Sequence, residues 1–230
     1  MGVTKTSVTV EPEQGPTGKC ARLTTRFASC RVAGLVDIQV LATGALYLGR
    51  MLEPVTGVSN PYSFMDWGIP FDKRPSALVL DLKAELPATG MLTKGTTFRQ
   101  KEFPGEDPCQ VTLLLQQRWE DADGNIHALR VGTAVLRIHK STGWETGVRI
   151  PVRYGDASGQ SGAELLQGAR ALYAVNSKGK RKPILEEGWA APDTAPTHLV
   201  LQIMAGSHGA FVGAPGNTLW VDNICLEYPQ

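Results

Sequence analysis

The chain has 230 residues, 42% of them hydrophobic and 20% charged, with a formal net charge of +1. That balance suits a globular protein with a sizeable core and excludes a disordered chain. A charge so near neutral also excludes electrostatic capture of nucleic acid or of an anionic membrane surface.

Residues 1–10 lack the apolar core of a signal peptide, and no apolar run is long enough to span a bilayer. The expectation is a chain that starts behind a removed leader, although residues 1–6 also fit the loose myristoylation pattern. Residues 1–19 read as an N-terminal extension or first strand, and 20–230 as one domain, because no Pro- or Ser-rich linker divides them. Ala21, Leu23 and Thr25 suggest a strand. Residues 33–51 are apolar with little period, which fits either a short helix or two short strands around Gly44 and Gly49.

Residues 60–71 crowd Tyr62, Phe64, Trp67 and Phe71 into a stretch bounded by Pro and Gly, which reads as a loop. Such a loop offers rings for stacking on the C–H faces of sugars, with Asp66 and Arg74 nearby for their hydroxyls. Phe71 reads as a plug at the end of the fold. For Tyr62 and Trp67, plug and platform stand level.

Strand signals dominate the rest. Leu78, Leu80, Leu82 and Ala84 alternate with Val79, Asp81, Lys83 and Glu85, the period of a strand with one face on a core. Residues 148–154 and 199–203 repeat that pattern. Asp123-Gly124 between residues 111–119 and 126–139 marks a hairpin, and Ser141-Thr142-Gly143 precedes the next strand. Three such strands predict an antiparallel meander, and the whole predicts an all-β, two-sheet antiparallel sandwich of the jelly-roll type. Residues 161–185 fit either a capped helix or a hairpin turning at Asn176–Gly179, with the hairpin favoured.

Catalytic signatures are sparse. No G-x-S-x-G, H-E-x-x-H or phosphate-binding loop is present, and Ser207-His208 reads as a structural loop. Asp81 and Glu85 share a strand face and form the carboxylate pair best placed for a cleft, while Glu186-Glu187 reads as a polar loop. The basic residues 178–182 read as a solvated turn. Trp119 and Trp144 lie near hairpin ends as platforms or rim packing, and Trp220 reads as core. Cys20, Cys30, Cys109 and Cys225 lack metal-site spacing and leave their pairing open. Between Val221 and Ile224 the apolar phase slips by one residue, as a bulge would cause.

Three stretches carry a resemblance. Residues 68–78 (GIPFDKRPSAL) are similar to a G-x-P-F-x-x-R-P-x-x-L motif, and residues 208–223 (HGAFVGAPGNTLWVDN) to an F-x-G-x-x-G-S-T-L-x-V-D-D ending. Residues 21–25 (ARLTT) are similar to an A-x-L-x-T strand. Together they resemble the "putative carbohydrate metabolism domain" family (PCMD) of Bacteroidetes, in order from about Cys20 to Tyr228. Asn217 and Asn223 depart from its usual Ser and Asp.

The resemblance implies a jelly roll like that of carbohydrate-binding modules, exported to the cell envelope and often following a lipoprotein leader. It implies no established catalytic residues. It places Lys83 near a family lysine, and it suggests a structural Ca²⁺ with Asp222 as one ligand, oxygen being the donor that Ca²⁺ prefers. The leading expectation is therefore non-catalytic glycan binding. Tyr62 and Trp67 would stack, with Arg74, Asp81, Lys83, Gln116 and Arg118 as polar contacts. The alternatives are a glycoside-active enzyme using Asp81 and Glu85, or an adhesive envelope module with protein partners.

Overall fold

The structure, a computed structural model, describes residues 4–5, 8–32, 36–52, 60–96 and 99–229. Among them no α-helix occurs, and two sheets form the body. One has five strands in the order Glu145–Pro151, Ala77–Glu85, Thr218–Glu227, Lys19–Thr24 and Val10–Gln14. The other runs Tyr173–Val175, Arg181–Trp189, Ile126–Ile138, Cys109–Glu120, His198–Met204 and Ala45–Tyr47, with Arg153–Tyr154 and Ile69–Pro70 as side pairings. All pairs are antiparallel except Ile126–Ile138 with Arg181–Trp189, which run parallel. This is an all-β sandwich of jelly-roll type.

The alternating leucines explain the main core. Leu78, Leu80 and Leu82 of the first sheet meet Val111, Leu113 and Leu115 of the second, with Leu23, Leu219 and Val221 beside them. Removal of that apolar area from water is the chief force holding the sheets together. The predicted meander is only half right. The Cys109–Glu120 and Ile126–Ile138 hairpin forms as the Asp-Gly turn implied, but Glu145–Pro151 crosses to the first sheet and pairs with Ala77–Glu85. Only Arg153–Tyr154 returns to the second sheet.

A second apolar cluster lies on the far face of the second sheet. There Leu114, Ile126, Ile184 and Val200 are covered by Met65, Trp67, Leu172 and Ala174. The aromatic stretch is thus partly ordered structure rather than a plain loop: a 3-10 turn at Pro61–Phe64 and a strand at Met65–Trp67. Phe71 packs partly buried against the main core. Residues 36–51 form short strands. The ambiguous segment is a hairpin, since Tyr173–Val175 pairs antiparallel with Arg181–Trp189. Its basic turn is solvated, with Lys178 and Lys182 reaching Ala122 O and Asn125 Oδ1.

Bulges steer side chains between these layers. The register slips by one residue between Leu115 and Gln116, leaving Val131 in the core while Arg130 turns to the far face opposite Gln116. A second slip between Ala128 and Leu129 leaves Glu187 as the extra residue of its strand. A third, between Val79 and Asp81, inserts one residue after Asp222. There Asn223 adopts φ 49°, a left-handed conformation that Asn tolerates better than most residues.

Candidate functional site

The structure divides the expected binding residues among several places. Trp67 is 4% exposed and lies 5.2 Å from the Tyr47 ring and 6.4 Å from the Tyr62 ring. It belongs to the second core, so it offers no face to a sugar, and the stacking role expected of it does not fit. Its indole Nε1 is buried without a partner. Arg74 ties loops together: its guanidinium donates to Thr194 O and Pro192 O and lies 4.0 Å from the Tyr154 ring centre.

Asp81 and Lys83 belong to the outer face of the first sheet, away from Gln116 and Arg118. Asp81 accepts from Asn223 Nδ2 and Gly147 N, both at 2.7 Å. These bonds, Asn223 first, hold its carboxyl below the usual carboxylate range. Lys83 pairs with Glu85 at 2.6 Å and covers the Trp220 ring at 4.4 Å. Trp220 is buried on this outer face rather than in the main core, with Nε1 donating to Glu13. The Asp81 and Glu85 pair is therefore spent on bulge and ion-pair contacts.

Asp222 accepts from the Thr17 hydroxyl at 3.0 Å and from Asn223 N at 2.9 Å. Among the described residues no three His, Cys, Asp or Glu side chains converge on a point. With proton donors facing both oxygens of Asp222, the residues present do not fit a Ca²⁺ site, and Asp222 closes the bulge instead. Cys20, Cys109 and Cys225 are free thiols, and burial pushes Cys109 up to about 12.

Gln116 and Arg118 do share a place, beneath the cover of the second sheet. Gln116 donates to Glu186 Oε1 at 2.6 Å and accepts from Arg118 Nε at 2.8 Å. Glu186 in turn pairs with Arg130 at 2.5 Å, both side chains being almost fully buried. Leu166 N donates to the same carboxylate. Glu186 is thus a strand residue in a buried network, a correction to its reading as a polar loop. An arginine inside the apolar run of residues 126–138 was the signal that a buried partner exists. Arg118 Nη1 donates to Trp67 O, while Nη2 is sealed beneath Gly68, where an added Cβ would stand 3.0 Å away. Burial first, with Glu186 and Asp66 opposing it, brings Arg118 down to about 10.

Among the described residues the surface opens into hollows, three of which bear on the site. The one at the sandwich end, about 370 Å³, surrounds Asp107. That buried carboxylate is saturated by Ser207 N, Ala214 N and Asn217 Nδ2, so it locks loops together. A second, about 400 Å³, lies beside Trp119, Glu120 and His198, and the partly buried Arg118 reaches its lining. Both oxygens of Glu120 are taken by Ser177. Trp119 is 41% exposed and stacks on His127, ring centres 5.5 Å apart.

The third, about 160 Å³, is a groove on the far face of the second sheet, where the cover ends. Strand alternation puts Gln110, Arg137, Gln202 and Met204 on its floor, and Tyr62, Leu166, Leu172 and His208 line it as well. Gln110 is fixed, accepting from Arg137 Nε at 2.8 Å and donating to Thr112 at 2.9 Å. Gln202 is only 9% exposed, yet its amide makes no hydrogen bond to any described residue. The Tyr62 hydroxyl is also without a partner among the described residues, and burial raises its pKa. Buried polar groups are normally bonded, so an amide on a groove floor with no bond to the described residues is a point where a polar ligand can bond. Tyr62 is the expected site residue found here. Gln110 shares a strand face with Gln116 and Arg118, so alternation alone could have extended the list to it.

An all-β sandwich with a polar groove on an otherwise covered sheet face is the class that fold and site define. No protein-family model matches the chain, and neither does any curated protein. Two crystal structures share the fold. A "putative glycoside hydrolase" from Bacteroides thetaiotaomicron aligns with TM-score 0.56 at 19% identity, over 97% of this chain and 57% of that one. Another, also described as a "putative glycoside hydrolase", from Bacteroides vulgatus, aligns with TM-score 0.59 at 18% identity, over 95% and 77%. The chain thus spans little more than half the length of the first.

Proposed function

We propose that this domain binds an oligosaccharide in the groove over Gln110, Arg137 and Gln202 without cleaving it. The observation that carries the reading is the Gln202 amide, nearly buried and unbonded on the groove floor. An amide offers two donors and an acceptor, the pattern that vicinal hydroxyls complete. Leu166, Leu172 and Met204 supply apolar lining for the C–H faces of a ring.

Binding is favoured over hydrolysis by the acids available. Glycoside hydrolysis generally takes two carboxylates flanking the bond, and among the described residues Glu164 is the one carboxylate lining this groove. The glycoside hydrolase description of the two structural neighbours supports a saccharide as ligand class. A place at the bacterial cell envelope rests on the PCMD-like motifs alone.

Isothermal titration against a panel of neutral and acidic oligosaccharides tests the reading. At least one should bind, and Gln202→Ala should weaken it at least tenfold while the melting temperature holds. Binding that survives Gln202→Ala unchanged would place the site elsewhere.

A further inference from the structure

We infer that the groove selects saccharides bearing a carboxylate, that is, a uronic-acid unit, and that Arg137 pairs with that group. This deepens the groove reading above and rests on it.

Arg137 is a half-buried cation without a counter-ion among the described residues. Its Nε donates to Gln110 Oε1 at 2.8 Å and its Nη1 to Ser161 Oγ at 3.1 Å, and both partners are neutral. Nη2 donates to no described residue. The ion pairs among the described residues assign carboxylates to arginines such as Arg22, Arg130 and Arg149 but none to Arg137. A guanidinium that has lost water and gained only neutral acceptors keeps an unmet attraction for an anion, which grows as the local dielectric falls.

Its surroundings hold it ready. Gly162, at φ 85°, lays its backbone against the guanidinium so closely that a Cβ there would stand 2.9 Å from Nε. The fork is therefore braced from above by this backbone and from the side by Gln110. The groove wall adds Arg170 and His208. Its acid, Glu164, is 4.0 Å from Arg170 and so partly spent. Two guanidiniums thus face one carboxylate around the groove.

The free edge of Arg137 comprises both Nη2 hydrogens and the second on Nη1. Coplanar donors of this kind match the two oxygens of a carboxylate, whereas a hydroxyl has one oxygen to offer. With the carboxylate on Arg137, the ring hydroxyls fall to the Gln202 amide and the Tyr62 hydroxyl.

Calorimetric titration with oligomers of galacturonate, glucuronate and mannuronate, each beside its methyl ester, tests the inference. One acid form should bind at least tenfold tighter than its ester. Arg137→Gln should abolish that preference, so that acid and ester bind alike, and Arg137→Lys should restore only part of it. Equal binding of acid and ester, both lost in Gln202→Ala, would overturn the acid preference and leave the groove reading standing. Equal binding that persists in Gln202→Ala, or no binding of any uronate or neutral oligosaccharide, would overturn both.

Discussion

His127 lies between two carboxylates, with Glu187 Oε1 2.5 Å from Nδ1 and Asp121 Oδ2 3.2 Å from Nε2. Those bonds, Glu187 first, raise its pKa, while the side-chain and backbone bonds from Asn125, and then His127, hold Asp121 well below the usual carboxylate range. Since the folded-state value is raised, the stabilisation is complete below pH ~6.5 and is lost as pH climbs through the elevated value. His198 goes the other way: burial first, then Arg118, lowers it to about 4. Imidazole resonances followed by NMR should therefore show His127 titrating above ~6.5, and Glu187→Gln should move it down. A wild-type His127 titrating at or below that value would contradict the geometry. Neither environment was legible in the sequence. Glu187 reaches His127 only because a bulge makes it the extra residue of its strand.

Elements were legible where one face is apolar and one polar, as in Ala77–Glu85, whose leucines all reach the core. Legibility failed where a strand is covered on both faces. In Cys109–Glu120 the far face carries Gln110, Thr112, Gln116 and Arg118, which reads as solvated until the Trp67 and Leu172 cover is seen. The bulge near Val131 hides the Arg130 and Glu186 pair in the same way, because it breaks the period of two. Glu186→Gln should cost about 3–5 kcal/mol in urea unfolding, since it leaves Arg130 buried with an uncompensated charge. Arg130→Met added to Glu186→Gln should recover part of that loss, because Gln keeps an oxygen for Leu166 N. A cost below ~1 kcal/mol for the single variant would mean that the pair is solvated.

At the scale of the molecule, two sheets enclose one core and a partial third layer encloses another. That third layer decides what the domain can bind. With Trp67 as part of it, this layer closes over Gln116, and it stops short of Gln110, Arg137 and Gln202. Sequence patterns identified the strand face but not how far its cover extends, because cover comes from segments distant in the chain. The C-terminal motif has its own role here. Asn217 and Ala214 bind Asp107, and a Cβ on Gly206 or Gly213 would strike that carboxylate at 2.5 and 2.9 Å. The motif thus locks loops at the sandwich end, which accounts for its residues without a ligand. The most direct measurement of the central claim is an NMR titration that follows side-chain amide signals with a binding oligosaccharide. The account predicts that Gln202 and Gln110 shift together at saturation while Gln116, sealed under the cover, does not. A ligand that binds yet leaves Gln202 unmoved would contradict it.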